Sequence, residues 1–322
     1  MNRDVVVVGA GPAGLSAALI LGRCCRTVLV CDRGTPRSWA SKAMHGFTTR
    51  DGVPPDEFRR AAIQELERYP AVSLWRGEVT FAKRDGNGFI VQLGNETVRA
   101  RKLLIATGVM DQLPEIEGLA AAFGISVFQC PYCDGWEVRG QPTAVYGRQK
   151  RGLEMARAVR SWTQDILLCT DGPSGFTTEE TRGLMANGIR IAEERLSRLE
   201  HDHGKLSAVV FRDGTRVERE VLFFDTPSRG QSHLTEQLGC RFNRHGGVIC
   251  GQYEATSVPG VYVAGNITRN VQLSIVAAAE GANAAFGINR ALTREDFERN
   301  ATGVAYVEHT GPDAGHGARQ QI

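Results

Sequence analysis

The sequence predicts an α/β protein of the three-layer ββα type, with two Rossmann-like nucleotide-binding domains, the first interrupted by the second. Three observations lead to this prediction. A run of valines at 5–8 precedes a glycine turn and a helix, which is typical of a strand buried on both faces. A second strand and glycine turn occur at 143–147, and a third buried strand ends in glycine at 260–265. The chain of 322 residues is long enough for two such domains.

Composition restricts the class of protein. Hydrophobic residues make up 42% of the chain and charged residues 23%, which is ordinary for a soluble globular protein. A net charge of +2 gives no indication of a nucleic-acid partner. The eight cysteines do not form the framework of a small secreted domain, and no apolar run reaches the roughly 18 residues of a membrane span. The first apolar run has no cleavage-site pattern, so we expect a cytoplasmic protein without membrane association.

The glycine turn near the N-terminus predicts a dinucleotide site. Gly9 permits the tight turn, Gly11 lets the backbone approach a pyrophosphate, and Gly14 allows close contact between helix and strand. The pyrophosphate would lie at the start of the helix, where backbone N–H groups favour an anion. A second strand is predicted at 28–31, and Asp32 ends it where an acid can bond a ribose hydroxyl.

The remaining elements follow from hydrophobic periodicity and turn residues. Helices are predicted at 14–23, 58–68 and 274–292. A small antiparallel sheet is predicted from the segments 72–75, 79–83, 89–93 and 97–99. Further strands are predicted at 102–108, at 166–169, and in a hairpin of 209–212 with 217–224.

Changes in pattern divide the chain into domains. A break near 111–118 and another near 247 predict a first domain at 1–115, an inserted domain at 116–247, and a return to the first domain at 248–322. The last part of the third segment is a polar tail without periodicity.

Two cysteines three residues apart, Cys130 and Cys133, are a redox or metal signature. A structural zinc site would need two more ligands, and the sequence offers neither a second such pair nor histidines with finger spacing. Two unreactive buried thiols are the other structural alternative. Pro131 and Tyr132 suit a tight turn at a helix start, which favours a redox-active disulfide. Asp134 is either a proton donor and acceptor for the exchanging sulfur or a helix cap.

Together these motifs resemble the low-molecular-weight thioredoxin reductases, a family of FAD-dependent disulfide oxidoreductases. The resemblance covers nearly the whole chain and rests on the segments Gly9–Gly14, Ala106-Thr107-Gly108, Cys130–Gly135, Gly265-Asn266 and Glu280-Gly281. It implies FAD as the cofactor, a homodimer, and a redox disulfide of Cys130 with Cys133. In this resemblance Cys133 lies against the flavin, Cys130 attacks the substrate disulfide, and Asp134 is the active-site acid.

The resemblance also implies which residues bind FAD. Gly265 and Asn266 would contact the flavin's phosphate and ribityl, although the family usually has aspartate where this chain has Asn266. Gln272 and Leu273 would begin a helix whose N-terminus faces the pyrimidine edge of the flavin, where negative charge develops on reduction. The complete set expected to bind FAD is Gly9, Gly11, Pro12, Ala13, Gly14, Asp32, Arg33, His45, Val79, Ala106, Thr107, Gly108, Gly265, Asn266, Gln272 and Leu273. No metal is expected.

The second glycine turn departs from the family. Where thioredoxin reductases have Gly-X-Gly-X-X-Ala/Gly, this chain has Gly147-Arg-Gln-Lys-Arg-Gly152, and the Gln149 side chain would crowd a pyrophosphate. The strand after it leads to Asp171 without an arginine, so the 2′-phosphate of NADP has no evident partner. Efficient use of NAD(P)H is therefore not expected.

The predicted function is thiol–disulfide oxidoreduction through FAD and the cysteine pair, with a small dithiol or a thioredoxin-like protein as substrate. The electron partner stays open. One alternative is a dithiol oxidase that forms a disulfide in a small molecule and passes electrons to O2, which the segment from His45 to Pro55 resembles. Those oxidases tend to have histidine at the position of Asp134. Another alternative is a reductase that takes electrons from ferredoxin or a second flavin, and a flavin-based redox sensor is the non-enzymatic one.

Overall fold

The computed structural model describes residues 2–225, 227–268 and 271–301. Its strands are β1 (Asn2–Val8), β2 (Val28–Asp32), β3 (Val72–Arg76), β4 (Val79–Asp85), β5 (Gly88–Leu93), β6 (Glu96–Ile105), β7 (Val109–Asp111), β8 (Val127–Phe128), β9 (Thr143–Tyr146), β10 (Ile166–Cys169), β11 (Ile189–Ala192), β12 (Leu196–Asp202), β13 (Lys205–Phe211), β14 (Arg216–Glu218), β15 (Val221–Phe224), β16 (Ser228–Gly230) and β17 (Val261–Val263). Its α-helices are α1 (Pro12–Arg23), α2 (Pro55–Leu66), α3 (Leu119–Ala122), α4 (Pro131–Asp134), α5 (Gln149–Val159), α6 (Thr178–Ala186), α7 (Leu234–Gln237) and α8 (Ser274–Ala301).

The first sheet has seven strands, in the order β3-β2-β1-β6-β5-β4, and β17 also pairs with β6. Strands β1, β2, β3, β6 and β17 run parallel, whereas β4, β5 and β6 form an antiparallel meander. The valines of β1 are buried, as predicted, because helices cover one face of this strand and the meander with its loops covers the other. We call this sheet with α1, α2 and α8 the first unit.

Two strand predictions in this region were wrong in their pairing. The segment at 72–75 was expected in the antiparallel sheet, but β3 pairs in parallel with β2 at the far edge. Segments 97–99 and 102–108 were expected as separate strands, but they are parts of one strand, β6, which ends at Ile105. An alternating pattern indicates a strand but does not indicate which strand pairs with it. Strand β6 is long enough to pair with β5 in the meander and with β1 and β17 in the parallel part of the sheet.

The second sheet has five parallel strands in the order β11-β10-β9-β15-β8, with an antiparallel sheet of β12, β13 and β14 beside it. We call these sheets with α3 to α6 the second unit. The predicted hairpin partner at 217–224 is in fact two strands. Strand β14 closes the hairpin with β13, and β15 continues into the parallel sheet beside β9. The apolar run of β15 is fully buried there, as a central parallel strand requires.

Two chain segments connect the units, and they pair with each other as β7 and β16. Leu234 and Cys240, which precede the predicted boundary at 247, already pack in the core of the first sheet. The domain boundaries themselves stay a prediction.

Helix α2 begins at Pro55, earlier than predicted, and α8 continues to Ala301 rather than ending at 292. The polar tail from residue 302 lies outside the described residues. Of the helices in the described part of the chain, none has the length and apolar character of a membrane span.

Helices α1 and α8 pack closely because Gly281 has no side chain at their crossing. A Cβ added to Gly281 would lie 2.0 Å from the carbonyl oxygen of Ala13. Gly14 lies close to the turn after β1 instead, where an added Cβ would lie 1.9 Å from the carbonyl oxygen of Gly9. The far end of α8 is held by charge. Arg101 on β6 pairs with Glu295 and Asp296 on α8, at 3.0 and 2.7 Å. Helix α8 is thus held at two places, by the contact of Gly281 with α1 and by these ion pairs with β6.

Candidate active site

A cavity of about 830 Å³ lies at the carboxyl edge of the first sheet and extends to the second unit. Its volume is in the range of a site for a large organic ligand. The ends of β1, β6 and β17 line it through the turns at Gly9, Ala106 and Gly265, and the start of α8 also lines it. Ligands of parallel α/β sheets bind at this edge, where the strand order reverses.

The glycine turn after β1 has the shape that a pyrophosphate requires. Gly9 has φ +109°, and an added Cβ there would lie 2.4 Å from the carbonyl oxygen of Ala106. Gly11 is different, because an added Cβ would meet no protein atom within 4 Å and would project into open space. Helix α1 begins directly after Gly11, with Pro12 at its first position. The free backbone N–H groups of this helix start therefore face a space left open for an anion.

The Asp32 side chain is hydrogen-bonded to the backbone of this turn. Its Oδ1 accepts a bond of 3.4 Å from the backbone N–H of Ala10, and its other oxygen pairs with the guanidinium of Arg59 on α2. Arg59 also donates to the carbonyl oxygen of Ala10, at 3.4 Å. Asp32 lines the cavity as predicted, and the structure adds Arg59 as its partner, which the sequence prediction did not include in the site.

The turn after β17 is fixed by an acid on α8. The backbone N–H of Gly265 donates to Glu280 Oε2 at 2.7 Å, and Gly265 has φ +82° with the Ala13 Cβ close by. In the turn after β6, the hydroxyl oxygen of Thr107 is buried and has no hydrogen-bond partner among the described residues. A buried hydroxyl without a partner is costly, so Thr107 is suited to bond a ligand in this cavity.

Cys130 and Cys133 form a disulfide, with their Cα atoms 5.2 Å apart. Cys130 is the N-cap of the short helix α4, and Cys133 lies in the single turn of this helix. Pro131 occupies the first helical position, where a missing backbone N–H costs no hydrogen bond. The disulfide, Tyr132 and Asp134 line the same cavity as the glycine turn. Among the described residues, no group of three or more His, Cys, Asp or Glu side chains is placed to hold a metal ion.

The acid beside the disulfide is electrostatically unusual. Burial raises the pKa of the Asp134 carboxyl from its ordinary value of 3.8 to about 6, and the negative charge of Glu137 adds to this rise. The charge of His45 opposes it. Asp134 does not cap a helix with its side chain, since the cap of α4 is Cys130. A carboxyl with a pKa near 6 can both take and release a proton near neutral pH.

His45 comes to this place from the loop between β2 and α2. Its side chain is 20% exposed, with Nδ1 at 3.6 Å from Asp51 Oδ1 and Nε2 at 3.6 Å from Glu137 Oε1. His45 was predicted to contact the flavin, and it lines the cavity. Its ion-pair contacts are to Asp51 in its own loop and to Glu137 in the second unit. The loop thus brings a first-unit histidine to the acids of α4 and the turn after it.

A polar network beside the disulfide was missed in the sequence. Arg37 donates to both oxygens of Asp111 at 2.6 Å and to Gln272 Oε1 at 2.5 Å. Gln129, which directly precedes Cys130, donates to Asp111 Oδ2 at 2.6 Å. The network joins the start of α8, the connecting strand β7 and the segment before the disulfide. Gln272 was already among the residues predicted to bind FAD, and Gln129 could have been indicated by its position next to Cys130. Arg37 and Asp111 carried no sequence signal of this network.

The structure brings together nearly the whole predicted site. Every predicted residue lines the cavity except Gly14, which packs against Gly9 beneath the turn. The predicted residues that line it are Gly9, Gly11, Pro12, Ala13, Asp32, Arg33, His45, Val79, Ala106, Thr107, Gly108, Cys130, Cys133, Asp134, Gly265, Asn266, Gln272 and Leu273.

Comparison with known proteins agrees with this arrangement. A model of the pyridine nucleotide-disulphide oxidoreductase family matches residues 3–281. The chain belongs to this family. A probable thioredoxin reductase of Arthroderma benhamiae is 32% identical over 296 residues, which cover 82% of this chain and 73% of that protein. Thioredoxin reductase sirT of Leptosphaeria maculans is 30% identical over 309 residues, covering 89% and 93%. The crystal structure of HlmI superposes with a TM-score of 0.90 at 33% identity, covering 94% of this chain and 96% of that one.

The family assignment confirms the predicted fold class and the resemblance to thioredoxin reductases. It makes the chain an FAD-dependent disulfide oxidoreductase. The cavity fits this cofactor, because the open space at Gly11, the free helix start of α1 and the unpartnered hydroxyl of Thr107 are features that a dinucleotide would use.

The second nucleotide turn of this family member has a different shape from the first. Arg148, not a glycine, is the N-cap of α5, and Gln149 follows with φ +50°. Arg148 pairs with Asp171 at the end of β10, and the Tyr146 hydroxyl donates to the same carboxylate at 3.2 Å. Gly147 and Gly152 are packed against each other, with an added Cβ on Gly152 only 2.0 Å from the carbonyl oxygen of Gly147.

Proposed function

We propose that this enzyme moves electron pairs between a thiol or disulfide substrate and FAD through Cys130 and Cys133. The observation that carries the proposal is that the disulfide lines the same cavity as the glycine turn of the first unit. FAD, when bound, supplies an acceptor and donor of electron pairs. The residues of the chain bind it, hold the disulfide beside it, and handle the protons of sulfur exchange.

Different parts of FAD are proposed to contact different turns that line the cavity. The pyrophosphate would be held by the turn from Gly9 to Gly14 and the start of α1. Asp32 would bond a ribose hydroxyl, while Arg59 keeps its carboxylate in place. Thr107 offers its unpartnered hydroxyl, and Gly265 with Asn266 approach from β17.

Sulfur exchange is proposed to use the two cysteines in different roles. Cys130 forms and breaks the bond with the substrate sulfur, and Cys133 leaves as a thiolate and re-forms the disulfide. Asp134 takes or gives the proton, because its pKa of about 6 lies close to the working pH. The assignment of the two roles follows from the family resemblance.

NAD(P)H is proposed to be a poor electron donor. The Gln149 side chain stands where the family has glycine, and Arg148 occupies the carboxylate of Asp171. The ion pair of Asp171 with Arg148 does not by itself argue against nucleotide binding, because Asp32 in the first unit is also paired with an arginine. The difference lies at the turn itself, where Gly11 leaves open space in the first unit and a glutamine with φ +50° stands in the second. This contrast favours a dithiol oxidase or a nicotinamide-independent reductase over an NADPH-dependent enzyme.

The partners are proposed on chemical grounds. The names of the relatives support a thioredoxin-like disulfide as substrate, and a small dithiol is the other candidate. Tyr132, between the two cysteines, is 70% exposed and offers an aromatic surface to either. Ferredoxin or O2 would be the second electron partner. A homodimer and a cytoplasmic location remain predictions.

Anaerobic reduction of the flavin tests the proposal. The holoprotein is mixed in parallel with NADPH, NADH, dithiothreitol and reduced ferredoxin, and O2 is then admitted. We expect dithiothreitol to bleach the flavin through the disulfide, and NADPH to bleach it slowly or not at all. Fast stoichiometric bleaching by NADPH would refute the proposal that NAD(P)H is a poor electron donor. A colourless protein would refute the flavin assignment. Repeated turnover of a dithiol with O2 would identify an oxidase and exclude a sensor.

A further inference from the structure

His45 is held in position by a closed loop of the first unit. The backbone N–H of Met44 donates to the carbonyl oxygen of Val53 at 2.8 Å, and that of Gly52 donates back to Met44 at 2.8 Å. The N–H of Gly46 donates to Asp51 Oδ1, also at 2.8 Å. These bonds fix both ends of the loop, so the imidazole is presented to the cleft by a defined backbone.

The charges that face His45 come from both units. Asp51 lies 3.6 Å away within the same loop, and Glu137 lies 3.6 Å away in the second unit. The charge of His45 also acts on Asp134, the acid beside the disulfide. Further charged side chains of the first unit line the same cavity, among them Asp56 and Arg59 of helix α2. Arg59 is already paired with Asp32.

Thiol–disulfide exchange moves protons as well as electrons. When a dithiol substrate is oxidised, one substrate thiol gives up its proton and attacks Cys130, which breaks the Cys130–Cys133 bond and releases Cys133 as a thiolate. The second substrate thiol gives up its proton and attacks the first substrate sulfur, which releases Cys130. The electron pair now resides on the cysteine pair, the substrate holds the disulfide, and two protons have moved to protein groups or solvent.

We propose that His45 is a positioning residue that acts from across the cleft and, together with Glu137 on the same side as Asp134, sets the charge of Asp134 during this exchange. The inference rests on the proposed exchange at Cys130 and Cys133. The acid, its histidine and the disulfide stand together only when the cysteine pair lines the first-unit cavity, because His45 belongs to the first unit and Asp134 to the second. The proton-handling group is therefore complete only in the arrangement in which sulfur is next to the cofactor site.

Two substitutions in this group should act in opposite directions. His45→Asn removes a charge that favours the ionised carboxylate of Asp134, so the midpoint of Asp134 protonation should rise. Glu137→Gln removes a charge that disfavours the carboxylate, so the midpoint should fall. We expect displacements of about half to one pH unit, as for a unit charge several ångströms away at a partly buried site. A purely structural role of either residue would not give displacements of opposite sign.

Infrared titration of the flavin-loaded protein measures this without reference to turnover. The band of the protonated Asp134 carboxyl is identified by its loss in Asp134→Asn and followed from pH 4 to pH 9 in each variant. In parallel, the rate at which dithiothreitol opens the Cys130–Cys133 bond is measured by acid quench, alkylation and mass spectrometry of the peptide. His203→Asn is the matched control, because His203 lies on the turn between β12 and β13, is 95% exposed and does not line the cavity.

The expected result is a higher midpoint in His45→Asn, a lower one in Glu137→Gln and no change in His203→Asn, with the rate profiles displaced in the same sense. Equal midpoints in all proteins, or displacements of the same sign, would overturn the inference. If His45→Asn does not bind flavin, His45→Gln is titrated in its place, and its midpoint should likewise lie above that of the unaltered protein. Failure of dithiothreitol to open the disulfide of the unaltered protein would instead remove the proposed function.

Discussion

Asparagine in place of Asp134 should make the folded protein more stable above pH 6 while slowing sulfur exchange. Burial holds the pKa of this carboxyl at about 6 instead of 3.8. Since one pH unit corresponds to about 1.36 kcal/mol, ionising Asp134 in the folded state lowers the free energy of unfolding by up to about 3 kcal/mol. Asparagine has nearly the same shape and no charge, so it removes this penalty.

The sign of the pH dependence follows from proton binding. Below pH 3.8 the carboxyl is protonated in both the folded and the unfolded chain, and the substitution should show no pH-dependent effect. Between pH 3.8 and about 6 the folded chain holds the proton and the unfolded chain does not, so stability of the unaltered protein falls as pH rises. Above pH 6 the loss is complete, and the advantage of Asp134→Asn is greatest.

The assay is urea unfolding of flavin-loaded protein at several pH values between 4 and 8, with the same substitution at Asp202 as the control. Asp202 is 92% exposed on a hairpin, and Asp202→Asn should follow the unaltered protein at every pH. The rate of disulfide opening by dithiothreitol should fall by roughly 10²- to 10⁴-fold in Asp134→Asn, as for loss of a general acid or base. A stability difference that stays constant from pH 4 to pH 8 would refute the argument.

Three further predictions concern the cavity and its sulfur. Gly11→Ala should leave the apoprotein's stability unchanged within about 0.5 kcal/mol but weaken FAD binding at least about tenfold in a fluorescence titration, because its Cβ would enter space reserved for the ligand. Gly281→Ala should lower the free energy of unfolding by about 1–3 kcal/mol, since the Cβ would meet the α1 backbone at 2.0 Å. Cys130→Ser should lose turnover yet retain a flavin absorption spectrum that responds to ionisation of Cys133, whereas Cys133→Ser should lose that response.

Each of these has a result that would contradict it. Unchanged FAD affinity in Gly11→Ala would mean that the pyrophosphate does not approach this turn. For Gly281, the control is Gly183→Ala in α6, where an added Cβ meets nothing within 4 Å and should stabilise the helix by about 0.5–1 kcal/mol. Equal effects of the two glycine changes would contradict the packing argument. If Cys133→Ser keeps the spectral response instead, the roles of the cysteines are reversed.

Local sequence was sufficient where one segment carries the whole signal. The valine run, Gly9 and Gly11 specify a strand, a turn and a helix start within a few residues, and the structure has them there. The same holds for the cysteine pair, because a disulfide across one helical turn depends on adjacent residues alone. Pairing of β3 could not be predicted in this way, since alternation shows which face is buried but not which strand lies alongside.

Contacts between distant segments were beyond the sequence. Arg37, Asp111 and Gln272 are far apart in the chain and are ordinary polar residues in their own surroundings, yet they form one network beside the disulfide. His45 was predicted to contact the flavin, but the contact of His45 with Glu137 depends on how the two units meet. In both cases the fold, rather than any local motif, brings the charges together.

The pairing of β17 with β6 has a consequence for biosynthesis. Strand β17 pairs with β6 in the first sheet, with Val261 beside Leu103, and helix α8 packs against α1. Strand β17 and helix α8 therefore leave the ribosome only after the entire second unit has been synthesised. Until then the nascent chain exposes an apolar β6 edge and an uncovered α1, both of which invite association with other chains. The second unit has its own consecutive βαβ elements and can close early. Truncated chains that end before Val261 should therefore depend on chaperones, whereas an excised second unit should not.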